Sequence, residues 1–198
     1  MNLSAAAGTS ALTALFTALN GGTLNLYTGT PPANVAAALS GNTLIGTATF
    51  ASSALSGSIT TSGDNVVGTL AFTSSTFTTA AAGTVTFARA LNTTPAGVID
   101  LGASSVWLPS TTVVVDQMCT NGGNLYICTT AGTTAASGGP TGTGTSITDG
   151  TAVWSYVQPG ASTLTMNNVA VTANLSTTIQ SATLSLPITN PVGSALVT

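Results

Sequence analysis

Between Leu19 and Leu24 the apolar period of this chain changes once, from that of a helix to that of a strand, and it does not change back. Leu12, Leu15, Phe16 and Leu19 fall at i, i+3, i+4 and i+7, which puts them on one helix face. Thr9 or Ser10 is the expected cap, because a hydroxyl accepts from an orphan N–H of the first turn. Asn20-Gly21-Gly22 ends the helix with residues that tolerate the left-handed conformation. Leu24, Leu26 and Thr28 then alternate with Asn25 and Tyr27, and Gly29-Thr30-Pro31-Pro32 stops that first strand.

Everything downstream reads as strand and turn. Strands are expected at 43–50, with Leu44, Gly46, Ala48 and Phe50 on one face, and at 66–72, 83–91 and 98–101. Further strands are expected at 113–119, 124–129, 152–157, 163–166, 169–171 and 177–186, with Pro187 and Pro191 interrupting the tail. Residues 51–65 and 131–148 read as loops, and the Gly139–Gly144 tract as a flexible connector. Many short strands behind one helix predict an all-β fold, a jelly-roll-like β-sandwich with a short N-terminal helix. Residues 105–157 differ in character. They hold both Trp residues, two of the three Tyr residues and both Cys residues, and they read as a small β-module inserted into a body made of 1–104 and 158–198.

Charge narrows the functional classes. Of 198 residues only one is Lys or Arg and four are Asp or Glu, with no His: Asp64, Arg89, Asp100, Asp116 and Asp149. A typical soluble domain is about one-quarter charged. With no His, Glu or Lys the chain has little for acid–base chemistry, and no Ser-His-Asp or Cys-His set can be assembled, so no enzyme activity is expected. The scattered Asp residues lack calcium-loop spacing, no phosphate-loop motif is present, and the two Cys residues do not make a zinc site, so neither metal nor cofactor is expected. One Arg cannot neutralise a nucleic-acid backbone. No apolar run reaches bilayer length, and the first residues, interrupted by Gly8, Thr9 and Ser10, carry no Lys or Arg ahead of their apolar part and do not read as a secretory signal. Charge-poor surfaces suit assembly, where few long charged side chains must be desolvated.

Two local arrangements stand out. If 92–97 is a hairpin loop and Leu91 faces Val98, opposed residues sum to 189 and Arg89 faces Asp100. The pair then neutralises the only side-chain cation on an apolar face. It is either a structural pair at the core's rim or an assembly contact. Cys119 and Cys128 flank the Asn121-Gly122-Gly123 hairpin signal. A turn centred on Gly123-Asn124 opposes them and permits a disulfide; one centred on Gly122-Gly123 leaves them diagonal and apart. In a reducing cytosol, reduced thiols are the expected state.

The opening Gly21-Gly22-x-Leu24-x-Leu26-Tyr27-Thr28-Gly29-x-x-Pro32 resembles that of a group of tailed-bacteriophage virion structural proteins, in which a short helix runs into such a strand. The resemblance continues in Gly83-Thr-Val-Thr-Phe-Ala-Arg89, in Gly97-Val-Ile-Asp100, in Leu164-Thr-Met-Asn-Asn168 and in the strand at 177–186. It implies a virion role and no activity: most of all a capsid decoration (cement) protein on the shell exterior, binding the major capsid protein or other virion proteins and forming dimers or trimers. The inserted stretch, Trp107-x-Pro109-x-Thr111, Tyr126-x-Cys128-Thr-x-Ala-Gly132-Thr and Thr148-Asp149-Gly150-x-x-x-Trp154, is similar to phage-fibre and chitin-binding-like β-modules. That likeness implies a tail or fibre component contacting host glycans through Trp107, Tyr126 and Trp154. The alternative is that these rings form the core of a tiny module. Val113 and Val115 depart from the module pattern, where an aromatic and a Gly are frequent. A third reading is an extracellular surface-layer or filament subunit.

Overall fold

The computed structural model describes residues 3–157 and 162–188. It holds one helix, α1 (Ala5–Leu19), and short to long strands. The first seven are β1 (Thr23–Tyr27), β2 (Leu44–Ser62), β3 (Asn65–Phe72), β4 (Thr76–Thr78), β5 (Gly83–Thr84), β6 (Phe87–Leu91) and β7 (Gly97–Val106). Then follow β8 (Thr112–Val113), β9 (Met118–Asn121), β10 (Asn124–Thr130), β11 (Gly132–Thr133), β12 (Ile147–Asp149) and β13 (Ala152–Val157). The last are β14 (Thr163–Met166), β15 (Ala170–Val171) and β16 (Ser176–Pro187).

Seven strands pair in a ring, in the order β7, β14, β16, β3, β2, β1, β6 and back to β7. Six of the seven pairings are antiparallel and the β7–β14 pairing is parallel. An odd ring requires this, since strict up-and-down alternation cannot close on an odd number. The all-β expectation holds, in the form of a closed, barrel-like sheet. The expected jelly-roll sandwich calls for two sheets packed face to face, whereas hydrogen bonding here runs round one ring.

The ring interior is apolar and tightly filled. Leu24 and Leu26 of β1, Phe50 of β2, Leu101 of β7, Leu164 and Met166 of β14 and Leu184 of β16 are all buried. Ala88, Ala90 and Ala103 on β6 and β7 leave room for them. The helix lays Leu12, Phe16 and Leu19 into this core, each side chain contributing roughly 1.5–3 kcal/mol relative to exposure. Its seat is specific: a Cβ on Gly68 of β3 would lie 2.5 Å from the Phe16 ring. The helix starts earlier than expected. Ser4 is the cap, its Oγ accepting from Ala7 N at 3.2 Å, so Thr9 and Ser10 lie inside it. At the other end Asn20 Oδ1 accepts from Ala54 N at 2.8 Å, tying the helix end to β2.

Several loops of the sequence reading are ordered strand. β2 runs through 51–62 and pairs with β3 around Gly63-Asp64, because β3 offers it a hydrogen-bonding edge and Thr is a good strand former even without apolar alternation. The Asn34–Leu39 stretch is a turn, with Asn34 Oδ1 accepting from Ala36 N and Asn34 O from Ala37 N. Pro191 lies outside the described residues.

Beyond the ring, β9, β10, β13 and β12 extend the sheet outward from β7. Ala103 N and Trp107 N, four residues apart on one edge of β7, donate to Thr86 O and then to Thr120 O, so β9 takes over where β6 ends. The apolar side chains divide accordingly. One cluster draws on α1 and the ring, and the second consists of Val113, Cys119, Tyr126, Cys128, Ala152 and Trp154, with Trp107, Ile147 and Tyr156 against it. The strand β7 itself continues unbroken across the expected boundary at 104/105.

Candidate interaction surfaces

The β6–β7 register places Arg89 opposite Asp100, and opposed residues sum to 189 until a bulge pairs Leu91 with Gly97 instead of Val98. Arg89 Nε and Nη2 donate to Asp100 Oδ1 and Oδ2, both at 2.8 Å, in a bidentate pair. The same guanidinium donates to Ala37 O at 3.1 Å and reaches Asn34 O at 3.5 Å. The hydrogen bond to Asp100 raises the Arg89 pKa above its ordinary value, against an opposing effect of burial. This pair sits on the outer face of the ring, beside Tyr27 and Phe87, whose rings stack at 5.4 Å. The 28–43 segment folds back over that face, and Arg89 is its pin. Only 7% of Arg89 is exposed, and four of its five N–H donors point to acceptors within the chain. The geometry is that of a structural clamp.

The three aromatic candidates come together in the module, which also holds Asp149, a carboxylate that the sequence offers only as one of five charged residues and as part of the module motif. Asp149 is 3% exposed and closes the second core. Its Oδ2 accepts from Trp107 Nε1 at 2.8 Å and from Trp154 Nε1 at 3.1 Å, and its Oδ1 accepts from Ala135 N at 2.9 Å. The Asp-Gly turn puts it there, with Gly150 at φ 67. The spacing Asp149-x₄-Trp154 was the available signal, since a strand pair β12–β13 returns the Trp over the Asp. Trp154 and Tyr126 are fully enclosed and offer no ring face to a sugar, so as glycan contacts these two are corrected to core residues. Trp107 is half-buried and lines a shallow cleft with Val106, Leu108, Gln117 and Asn168. No charged residue lines that cleft.

The Gly139–Gly144 tract, expected to be a flexible connector, is tied down over the module core. Asn121 Nδ2 donates to Gly138 O and Pro140 O at 2.8 and 3.1 Å, and Tyr126 Oη donates to Gly142 O at 3.1 Å. Of the two departures noted above, Val113 is buried and Val115 is 47% exposed.

Asn121 pairs with Asn124, so the hairpin turn is Gly122-Gly123 and Cys119 faces Tyr126. The cysteines are diagonal, buried and free. Burial pushes the Cys119 thiol up to about 12, helped by the charge of Asp149, and burial also raises Cys128. Neither is a poised nucleophile. Among the described residues no three His, Cys, Asp or Glu side chains are grouped to hold a metal, and no helix is long and apolar enough to cross a membrane. No family model, no curated protein and no solved structure matches this chain.

Proposed function

We propose that this chain is a structural, non-enzymatic protein of a tailed-bacteriophage particle, a decoration protein on the outside of the head shell. The observation that carries the reading is where the ionisable groups go. Arg89 and Asp100 pin a surface segment, and Asp149 is consumed by two indoles. That leaves Asp64 and Asp116 as the remaining charged side chains of the whole sequence, too little for catalysis or for nucleic-acid binding. The resemblance of the helix-to-strand opening supports a virion role, and a closed ring with few free edges suits a subunit that must persist on a particle. The jelly-roll-like sandwich expected from the strand pattern is part of this proposal: a flattened ring has two facing walls, as a sandwich does. Attachment of so uncharged a surface rests on apolar burial and backbone hydrogen bonds, and is expected to withstand high salt.

The test is subunit copy number in purified particles, by quantitative mass spectrometry against the major capsid protein. A ratio near one, or a simple fraction of it, is the expected result. Absence from the particle overturns the virion reading. A handful of copies moves the chain to the tail, where the half-exposed Trp107 favours the glycan-binding alternative. That alternative predicts loss of host attachment in a folded Trp107→Ala variant.

A further inference from the structure

The extension sheet has two faces, and among the described residues only one is covered. On the covered face Ser105, Cys119, Tyr126 and Tyr156 form one cross-strand row, closed over by the Asn121- and Tyr126-bound loop. On the opposite face the next row is Val106, Thr120, Leu125 and Val157, and beside it lie Met118, Ile127 and Ser155. Val106 is 60% exposed, and Met118, Leu125, Ile127 and Val157 are half-buried. These five belong to neither apolar cluster. A sheet face of this composition ordinarily carries a second layer.

We propose that a second copy of this chain supplies that layer, face to face across a twofold axis, making a dimer whose interface is an intermolecular β-sandwich. Charge decides the occupant. None of the face residues is charged, and the Arg89–Asp100 pair further along the same face of β7 is already neutralised within itself. An ordinary protein surface, about one-quarter charged, would have to desolvate charges against this face without compensation. A second copy has no such groups to desolvate, because its only side-chain cation is already paired with Asp100. The same apolar rows are self-complementary under a twofold operator. Area sets the strength. Four strands at about 4.8 Å spacing, overlapping along the roughly 13 Å of β9, give on the order of 250 Å² of sheet face per copy, below the size of a stable specific interface. The association is therefore a reversible equilibrium, strengthened by salt. It does not depend on the particle on which the chain serves.

The test is sedimentation velocity of the full chain over a wide concentration range at low and high salt. The expected result is a monomer–dimer equilibrium that high salt does not dissolve, and a Leu125→Glu/Ile127→Glu variant that stays monomeric while keeping its far-UV spectrum. A wild-type chain that is monomeric throughout overturns the proposal, as does a folded variant that still dimerises. A second measurement covers a variant that fails to fold. Thr120→Cys lies in the middle of the face, and Thr60→Cys lies on the exposed arm of β2. A short bismaleimide should link Thr120→Cys copies in pairs and leave Thr60→Cys copies single, the native thiols being buried. Equal linkage at both sites, or none at residue 120, overturns it.

Discussion

At the scale of single residues, Asp149 carries more of the module than any apolar side chain near it. Removing its carboxylate leaves two indole N–H groups and the Ala135 N–H without an acceptor, each costing about 1–3 kcal/mol where buried. Asp149→Ala is therefore expected to lower module stability by roughly 3 kcal/mol or more. Trp107 and Trp154 are the chain's only tryptophans and both donate to Asp149, so their fluorescence during urea unfolding reads the module alone. The cysteines give the alkaline counterpart. Cys119 is held protonated in the fold, with its pKa raised to about 12 from an ordinary 9.0, and Cys128 is shifted the same way. In that window the unfolded chain binds fewer protons than the folded one. Stability is thus fully present below the unfolded value and is lost as pH rises from 9.0 towards 12. A Cys119→Ala/Cys128→Ala variant should lose less stability than the native chain over that range, as measured by denaturant midpoints at matched pH. The diagonal placement was one of two registers open to the sequence. The Asp149-x₄-Trp154 spacing hinted at one of the Asp149 contacts, but nothing local shows that residues 107 and 135 converge on the same carboxylate.

Among the elements, hairpin β6–β7 was the most legible, since strict alternation and one cation opposite one carboxylate leave few registers. What stayed hidden was the reach of Arg89 across the outer face to Asn34 and Ala37, because the 28–43 segment has no periodicity to say where it docks. The polar arm of β2 was missed for a related reason. Ser, Thr and Gly runs are compatible with both loop and strand, and the partner strand decides. A pinned segment makes a distinct prediction. Arg89→Met strands the Asp100 carboxylate and frees two carbonyls, and is expected to cost about 3–5 kcal/mol. Arg89→Met/Asp100→Leu should recover much of the loss, because apolar residues of similar volume replace buried pairs well. Denaturation of the two single variants and the double variant gives the coupling energy. Thermolysin cleavage near Val35 or Leu39 should accelerate in the single Arg89 variant, reporting release of the segment.

Across the whole molecule, the module and the ring are linked through topology. Helix, ring strands and final hairpin pairings are mostly local or antiparallel, and their periodicity exposes them. The closing pair is neither: β14 runs parallel to β7, with Thr163, Leu164 and Thr165 beside Gly102, Ala103 and Ser104. A parallel neighbour cannot be reached by a tight turn and needs a crossover of about a dozen residues or more. Here the crossover is the stretch that reads in the sequence as an insertion, so the module supplies the excursion by which the odd ring closes. Replacing residues 107–162 by a link of about three residues should leave β14 unable to pair with β7, while a Gly/Ser link of about fifteen residues should restore the pair without the module. Amide hydrogen exchange at Thr163–Met166 separates the outcomes: fast with the short link, slow with the long one. Slow exchange with both links would mean that the ring closes without a crossover and that the module is only an ornament on it. Fast exchange with both would mean that the β7–β9 pairing, and not the length of the excursion, holds β7 in place for closure.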